Sequence, residues 1–255
     1  MIEKIPKIIH YCWFGNREIP KFESKCIKTW RNLLPDYEFV LWNEDNFDVR
    51  SNEWVRKAYE EKKYAFVADY VRLYALIKYG GIYLDTDVKM LKSFDNLLHL
   101  DGFMCFEDLA GELIATCVIG MKKGHEFLEE LLEYYNRDFD ADDIVNNFKS
   151  NALMFTEKLK SHGLQLNGQK QIVKEISIFP RTYFCPMDYF SNWDKTEDTY
   201  CIHLFSGSWL PESEYNRLAG RRKLWWRIGK YIYVHLKRFK FINLFRNYLK
   251  NREVI

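Results

Sequence analysis

Residues 64–91 read YAFVADYVRLYALIKYGGIYLDTDVKML, and the fold turns on how this run divides. The first sixteen carry apolar side chains nearly all round a helix, and the pair Gly80-Gly81 supplies the left-handed cap that ends it. A short apolar strand follows and runs into two carboxylates, Asp85 and Asp87, where IYLDTDVKML reads as a strand, a break and a second strand. Alternate residues of an extended segment share a face, so both can enter one cleft. Open α/β sheets place their ligands at this end of a strand. Carboxylates there are costly unless paired or ligated, and hard oxygen donors suit Mg2+ or Mn2+ held together with substrate phosphates. The competing reading is an ordinary Asp-rich turn. Two further triplets, Asp138-Phe-Asp140 and Asp140-Ala-Asp142, lie in the acidic run RDFDADD with no strand before them, and read as a solvated loop.

Two segments favour the metal–diphosphate reading. Asp69 and Arg72 are spaced i, i+3 and share a helix face. A surface ion pair would explain them at a few tenths of a kcal/mol. Yet Phe66, Val67, Val71, Leu73, Tyr74, Leu76 and Ile77 surround them, so the helix is buried and the pair has work to do. Near residue 200, YCIHLFSGSW puts His203 on a strand leading into Ser206, Gly207, Ser208 and Trp209. A lone His is more often a satisfied core residue; one leading into a Ser/Gly loop is a candidate third metal ligand.

Elsewhere strands and helices alternate without internal repeats. KIIHYCWFG, YEFVLWN, GFMCFED, IATCVIGM, KEISIFP and YCIHLF read as strands. FESKCIKTWRNLL, HEFLEELLEYY and IVNNFKSNALMFTEKLKSHG read as helices. This alternation gives one α/β domain with a mixed, largely parallel sheet. With 255 residues, 47% hydrophobic and 17% aromatic, the chain can bury a sizeable core and is neither disordered nor low-complexity. No window offers the roughly 18 apolar residues of a membrane span, and Glu3, Lys4 and Lys7 leave no apolar core for a secretory signal. Six cysteines without a C-x-x-C pair fit reduced, buried thiols better than a disulfide framework or a zinc site.

The motifs IPKIIHYCWFG, YAFVADYVRLYALIKYGGIYLDTDV and IHLFSGSW resemble the sugar-transferring region of glycosyltransferase family 32. This group includes fungal initiating mannosyltransferases and bacterial capsule and lipopolysaccharide enzymes, with the clostridial glucosylating toxins as distant relatives. The resemblance covers residues 4 to about 210. It implies a GT-A fold (Rossmann-like), a nucleotide-sugar donor, a divalent metal (Mn2+ or Mg2+) and retention of anomeric configuration. Position by position, it sets Trp13 against the nucleotide base and Asp69 and Arg72 on the donor sugar and diphosphate. It gives Asp85 the ribose and the metal shell, and Asp87 direct metal ligation. His203 with Ser206 or Ser208 completes the site, and Trp209 reaches the leaving phosphate. The toxins carry a carboxylate where His203 stands. The chemistry implied is a same-face displacement, with metal and Arg72 neutralising the departing diphosphate; no second carboxylate stands out in the sequence as a nucleophile.

Net charge is +2, but it is unevenly spread. Residues 217–252 hold 12 Lys/Arg and no acid, whereas residues 1–216 are net −9. The expected division is a transferase domain over 1–216 and a basic, aromatic helical tail over 217–255. On a helical wheel Trp225, Ile228, Ile232, Leu236 and Phe239 form one stripe, with Lys223, Arg227, Lys230, Lys237 and Arg238 opposite. Such a helix suits an anionic membrane surface; docking on the body is the alternative, and nucleic acid is disfavoured. The whole reads as a cytoplasmic enzyme, peripheral on the inner face of the cell membrane. It moves a hexose, with UDP the favoured carrier, to a glycan or lipid-linked acceptor in capsule or lipopolysaccharide assembly. A toxin-like transferase acting on protein and a non-catalytic lipid- or nucleic-acid-binding protein are the competing readings.

Overall fold

In the computed structural model, residues 2–108, 110–136, 150–187 and 194–207 are described. In chain order the elements are β1 (Ile8–Cys12), α1 (Lys21–Leu33), β2 (Glu38–Trp42), α2 (Glu53–Glu60), α3 (Tyr64–Tyr79), β3 (Gly81–Leu84) and β4 (Val88–Met90). They continue with β5 (Gly102–Phe106), β6 (Ile114–Met121), α4 (Glu126–Tyr135), α5 (Asn151–Ser161), β7 (Gln171–Val173), β8 (Ile176–Phe179) and β9 (Cys201–His203). Each strand and helix expected from the sequence up to residue 205 is present, although the helix expected from residue 144 is described only from Asn151. Two elements had not been expected. The helix α2 is short and charged, and its start is fixed by the Asn52 side chain accepting from Val55 N–H. The other is β7, a three-residue edge strand.

Seven strands form one sheet in the order β2-β1-β3-β6-β5-β8-β7. From the pairings, β1, β2, β3, β5 and β8 share one direction, while β6 and β7 oppose them. The sheet is therefore mixed and mostly parallel. Its two faces carry separate cores. One, with Trp54, Val71, Leu76, Phe127 and Phe155, packs under α2 to α5; the other, with Ile9, Trp30, Phe94, Phe103 and Phe184, packs on the α1 side. Strand β3 divides its residues between them by period-two alternation: Ile82 and Leu84 join the second core and Tyr83 the first. The next odd position is Asp85, which is thereby aimed at the α3 face.

The glycine pair works as the sequence implies. Gly80 caps α3 with φ +67°, and Gly81 opens β3 at φ +107°, where an added Cβ would lie 2.6 Å from the Ile8 carbonyl oxygen of β1. A separate two-stranded sheet pairs β4 with β9, setting Val88 opposite His203. Helix α1 braces it, with the Trp30 indole donating to the Val88 carbonyl at 2.6 Å and Thr29 Oγ1 accepting from Met90 N–H at 3.0 Å.

The chain divides into two compact units, Met1–Asp188 with Asn192–Phe205, and Tyr189–Ser191 with Ser206–Ile255. Of the second, only Ser206 and Gly207 are described. The expected tail helix, the acidic run at 137–143, Ser208 and Trp209 all lie outside the described residues. Among the described residues, no helix is long and apolar enough to cross a membrane.

Candidate active site

The site forms where β1 and β3, adjacent and parallel, end. The guanidinium of Arg72 organises it. Arg72 is buried on α3 and stacks over the Tyr83 ring at 4.4 Å. Its Nη1 donates to the Thr116 carbonyl at 2.9 Å. Its Nη2 lies 3.0 Å from Asp69 Oδ1 and 3.3 Å from Asp85 Oδ1. One cation thus ties the helix carboxylate to the first strand-end carboxylate. With its fork committed to these partners, Arg72 positions two acids and carries little uncompensated charge of its own.

Asp69 is held from a second side. The Asn151 backbone N–H donates to Asp69 Oδ2 at 3.3 Å and its side-chain amide donates to the Asp69 carbonyl at 2.8 Å, while Tyr135 Oη donates to Asn151 Oδ1 at 2.6 Å. Burial raises the Asp69 pKa to about 6, against the pull of Arg72. Asp85 is also raised by burial, with Arg72 opposing and Asp87 reinforcing the rise.

Asp85 and Asp87 converge, but across a tight turn and not along an extended strand. Val88 N–H donates to the Asp85 carbonyl at 3.0 Å, closing a four-residue turn. The β4–β9 ladder then delivers His203, whose Nε2 lies 3.3 Å from Asp87 Oδ1, and Leu204 N–H donates to the Asp87 carbonyl. Ligand atoms of Asp85, Asp87 and His203 all fall within 4.8 Å of one another. Burial disfavours charge on His203, yet Cys117 and Asp87 beside it outweigh that and hold its pKa well above the ordinary value. Two carboxylates and an imidazole at this spacing can hold a hard divalent cation.

Of the other sequence-derived candidates, Trp13 follows the last residue of β1, half-buried, with its indole N–H donated to the Arg17 carbonyl at 2.8 Å. Ser206 is buried and opens the second unit. The sequence reading passed over Asn151, Thr116 and Glu107. Glu107 directly follows β5, which runs in the same direction as β3, so it stands at the same edge of the sheet. Its pKa is raised by burial, lowered by His203 and raised by Asp85, which places it within electrostatic reach of the cluster. A strand ending in Glu107-Asp108 repeats the pattern of one ending at Asp85, and that signal was legible. Asn151 and the Thr116 carbonyl had no such signal, because only the tertiary fold brings them to α3.

The sequence pattern of a glycosyltransferase sugar-binding region containing a DXD motif matches residues 20–103, the stretch that supplies Asp69, Arg72, Asp85 and Asp87. Inositol phosphoceramide mannosyltransferase 3 of Schizosaccharomyces pombe is 39% identical over 132 residues, 50% of this chain and 36% of that protein. The glycosyltransferase L373 of Acanthamoeba polyphaga mimivirus is 26% identical over 225 residues, 81% of this chain and 84% of its own length. Among solved structures, PaToxG glycosyltransferase aligns with 62% of this chain and 70% of its own at a TM-score of 0.48 and 21% identity. The chain spans about a third of the length of the curated mannosyltransferases it matches. Residues 20–103 thus carry the pattern of a glycosyltransferase sugar-binding region, with its DXD carboxylates at a strand end of a mixed, mostly parallel α/β sheet, as a GT-A arrangement would place them.

Proposed function

We propose that this chain is a metal-dependent, anomer-retaining glycosyltransferase that moves a hexose from a nucleoside diphosphate sugar to a glycan or lipid-borne acceptor. One observation carries the reading: Asp85 and Asp87 of the matched sugar-binding region converge within 4.8 Å with His203, contributed from outside that region, beside the Asp69–Arg72 pair. The donor set fits Mn2+ or Mg2+. Bound there with Asp85, Asp87 and His203, such an ion supplies Lewis-acid neutralisation of the leaving diphosphate.

The chain's own groups do the rest. Arg72 fixes Asp69 and Asp85 at one separation, so that donor hydroxyls meet acceptors already oriented. Asp69 is the acceptor facing the sugar, braced by Asn151. His203 holds Asp87 from the β9 side and keeps the turn at Asp85–Val88 closed. Trp13, at the end of the neighbouring strand, offers a ring for the nucleotide base. Ser206, Ser208 and Trp209 are assigned to the diphosphate side from the sequence resemblance alone.

UDP is the favoured carrier. Mannose is the first sugar to test, because relatives such as the S. pombe protein are mannosyltransferases acting on inositol phosphoceramide. A lipid-linked acceptor fits both that comparison and the basic, aromatic sequence of residues 217–255, which we assign to the inner membrane surface in capsule or lipopolysaccharide assembly. The test is turnover of a panel of UDP- and GDP-hexoses with Mn2+, with the product anomer read by NMR. Metal-dependent release of one nucleoside diphosphate with the donor's anomeric configuration kept is the expected result. An inverted product would overturn retention, and absence of turnover across the panel would overturn transfer.

A further inference from the structure

Beside the carboxylate cluster lies a second group of ligating side chains that sugar transfer does not use. Cys105 on β5, Cys117 on β6, Cys185 after the turn at Arg181–Tyr183, and Cys201 on β9 are all buried and unoxidised. The Cys117 and Cys185 sulfurs are 3.3 Å apart, and Cys105 is a near neighbour of Cys185. Cys117, Cys185 and His203 bring sulfur, sulfur and an imidazole nitrogen within 4.8 Å of one another. Cys201 is committed elsewhere, its thiol directed at the Phe184 carbonyl at 3.7 Å.

Buried cysteines often serve only as small apolar filling. Convergence of two thiols with an imidazole within 4.8 Å goes beyond filling. His203 Nε2 contacts Asp87, while its buried Nδ1 has no nitrogen or oxygen partner among the described residues. Thiolate and imidazole form the soft donor set that takes Zn2+ or Cd2+, whereas Mg2+ and Mn2+ take oxygen. In a tetrahedral shell with sulfur about 2.3 Å from zinc, two sulfurs stand a little under 4 Å apart, so the observed pair needs to open by only about 0.5 Å. The ligands come from separate elements, which is why no C-x-x-C spacing announced them.

We propose that Cys117, Cys185 and His203 form a binding site for a thiophilic divalent cation such as Zn2+, and that filling it, by engaging the imidazole that also faces Asp87, weakens donor binding. The ion replaces the thiol protons, which pass to buffer, and no electron is transferred. The coupling to donor binding rests on the function proposed above; capture of the ion does not. Softness sorts the two sites, hard ions to the carboxylates and soft ions to the thiols, with His203 shared between them.

The test titrates Cd2+ into chelator-treated, reduced protein and reads the ultraviolet thiolate-to-cadmium band. One Cd2+ per chain should produce the band. Zn2+ should compete it away, and excess Mn2+ or Mg2+ should leave it. Cys185→Ser should weaken Cd2+ binding at least ~100-fold, and Cys26→Ala should not. Circular dichroism checks that each variant is folded, and Cys185→Ala replaces the serine variant if that one is not. In parallel, one equivalent of Cd2+ should reduce metal-supported UDP or GDP affinity at least ~10-fold in the wild type and not in the Cys185 variant. No band at one equivalent, or a band that survives loss of Cys185, overturns the site. A band without any effect on a nucleotide that binds overturns the coupling. A band with no nucleotide bound under any condition leaves the thiol site standing and counts against the proposed function instead.

Discussion

At Arg72 the energetics and the function meet. Its guanidinium compensates two buried acids, and removing one partner of such a cluster costs about 3–5 kcal/mol because the others stay buried and unpaired. Arg72→Ala should therefore lower the melting temperature by roughly 6–20 °C for a chain of this size, as differential scanning calorimetry would show. Arg72→Lys keeps the charge but not the fork that reaches Asp69, Asp85 and Thr116 together, so kcat/KM should fall about 100-fold with a smaller loss of stability. Asp69 responds to pH in an unusual sense. Its pKa is raised to about 6 by burial, so between about pH 4 and 6 the native state holds a proton that the unfolded chain has lost. Its contribution to stability then grows as pH falls through 6, the opposite of an ordinary paired carboxylate. Relative to Asp69→Asn, the wild type should gain about 1 kcal/mol from pH 7 to pH 5 in urea denaturation. A gap that widens in the other direction would show Asp69 to be an ordinary low-pKa acid.

Among the elements, the junction between α3 and β3 sets the geometry. The left-handed Gly80 ends the helix and Gly81 lets β3 lie close against β1, so Arg72 and Asp85 face each other across one turn of chain. Gly81→Ala combines an unfavourable φ of +107° with a 2.6 Å approach to the Ile8 carbonyl oxygen. It should cost about 2–3 kcal/mol, measured as a shift in denaturation midpoint. This junction was legible in the sequence because a Gly pair after an apolar helix has few other uses. The β4–β9 ladder was not. Three-residue strands carry no periodic pattern, and the pairing of residue 88 with residue 203 is fixed by packing against Trp30 and Thr29 of α1. His203 was legible as a candidate third ligand with Asp85 and Asp87 from the Ser/Gly loop that follows it, but the ladder that sets it opposite Val88 was not. The two carboxylates were expected to share a strand face and instead meet across a turn, since the Val88 N–H to Asp85 carbonyl bond bends the chain there.

For the whole molecule, the sequence carried the fold class because β3 is apolar on both sides, as a central strand must be, and because helices and strands alternate around it. It did not carry α2, half of whose eight residues are charged and which depends on burying Trp54 and Val55. Nor did it show that the thiols of Cys117 and Cys185 meet. The charge asymmetry leads to a prediction for the tail. The double variant Lys237→Glu, Arg238→Glu should reduce partition onto phosphatidylserine vesicles by at least ~10-fold, at about 1 kcal/mol per basic residue near the surface. Partition into neutral vesicles should not change, and equal binding of wild type and variant to the anionic vesicles would refute a membrane role for these residues. The central claim is that Asp87 and its neighbours hold a divalent metal and a nucleoside diphosphate together. Calorimetric titration of UDP and GDP, with and without Mn2+, into wild type and Asp87→Ala tests it most directly. The account predicts Mn2+-dependent binding of one nucleotide to the wild type, lost in the variant; binding that ignores both the metal and the substitution, or no binding of either nucleotide with Mn2+ present, would contradict it.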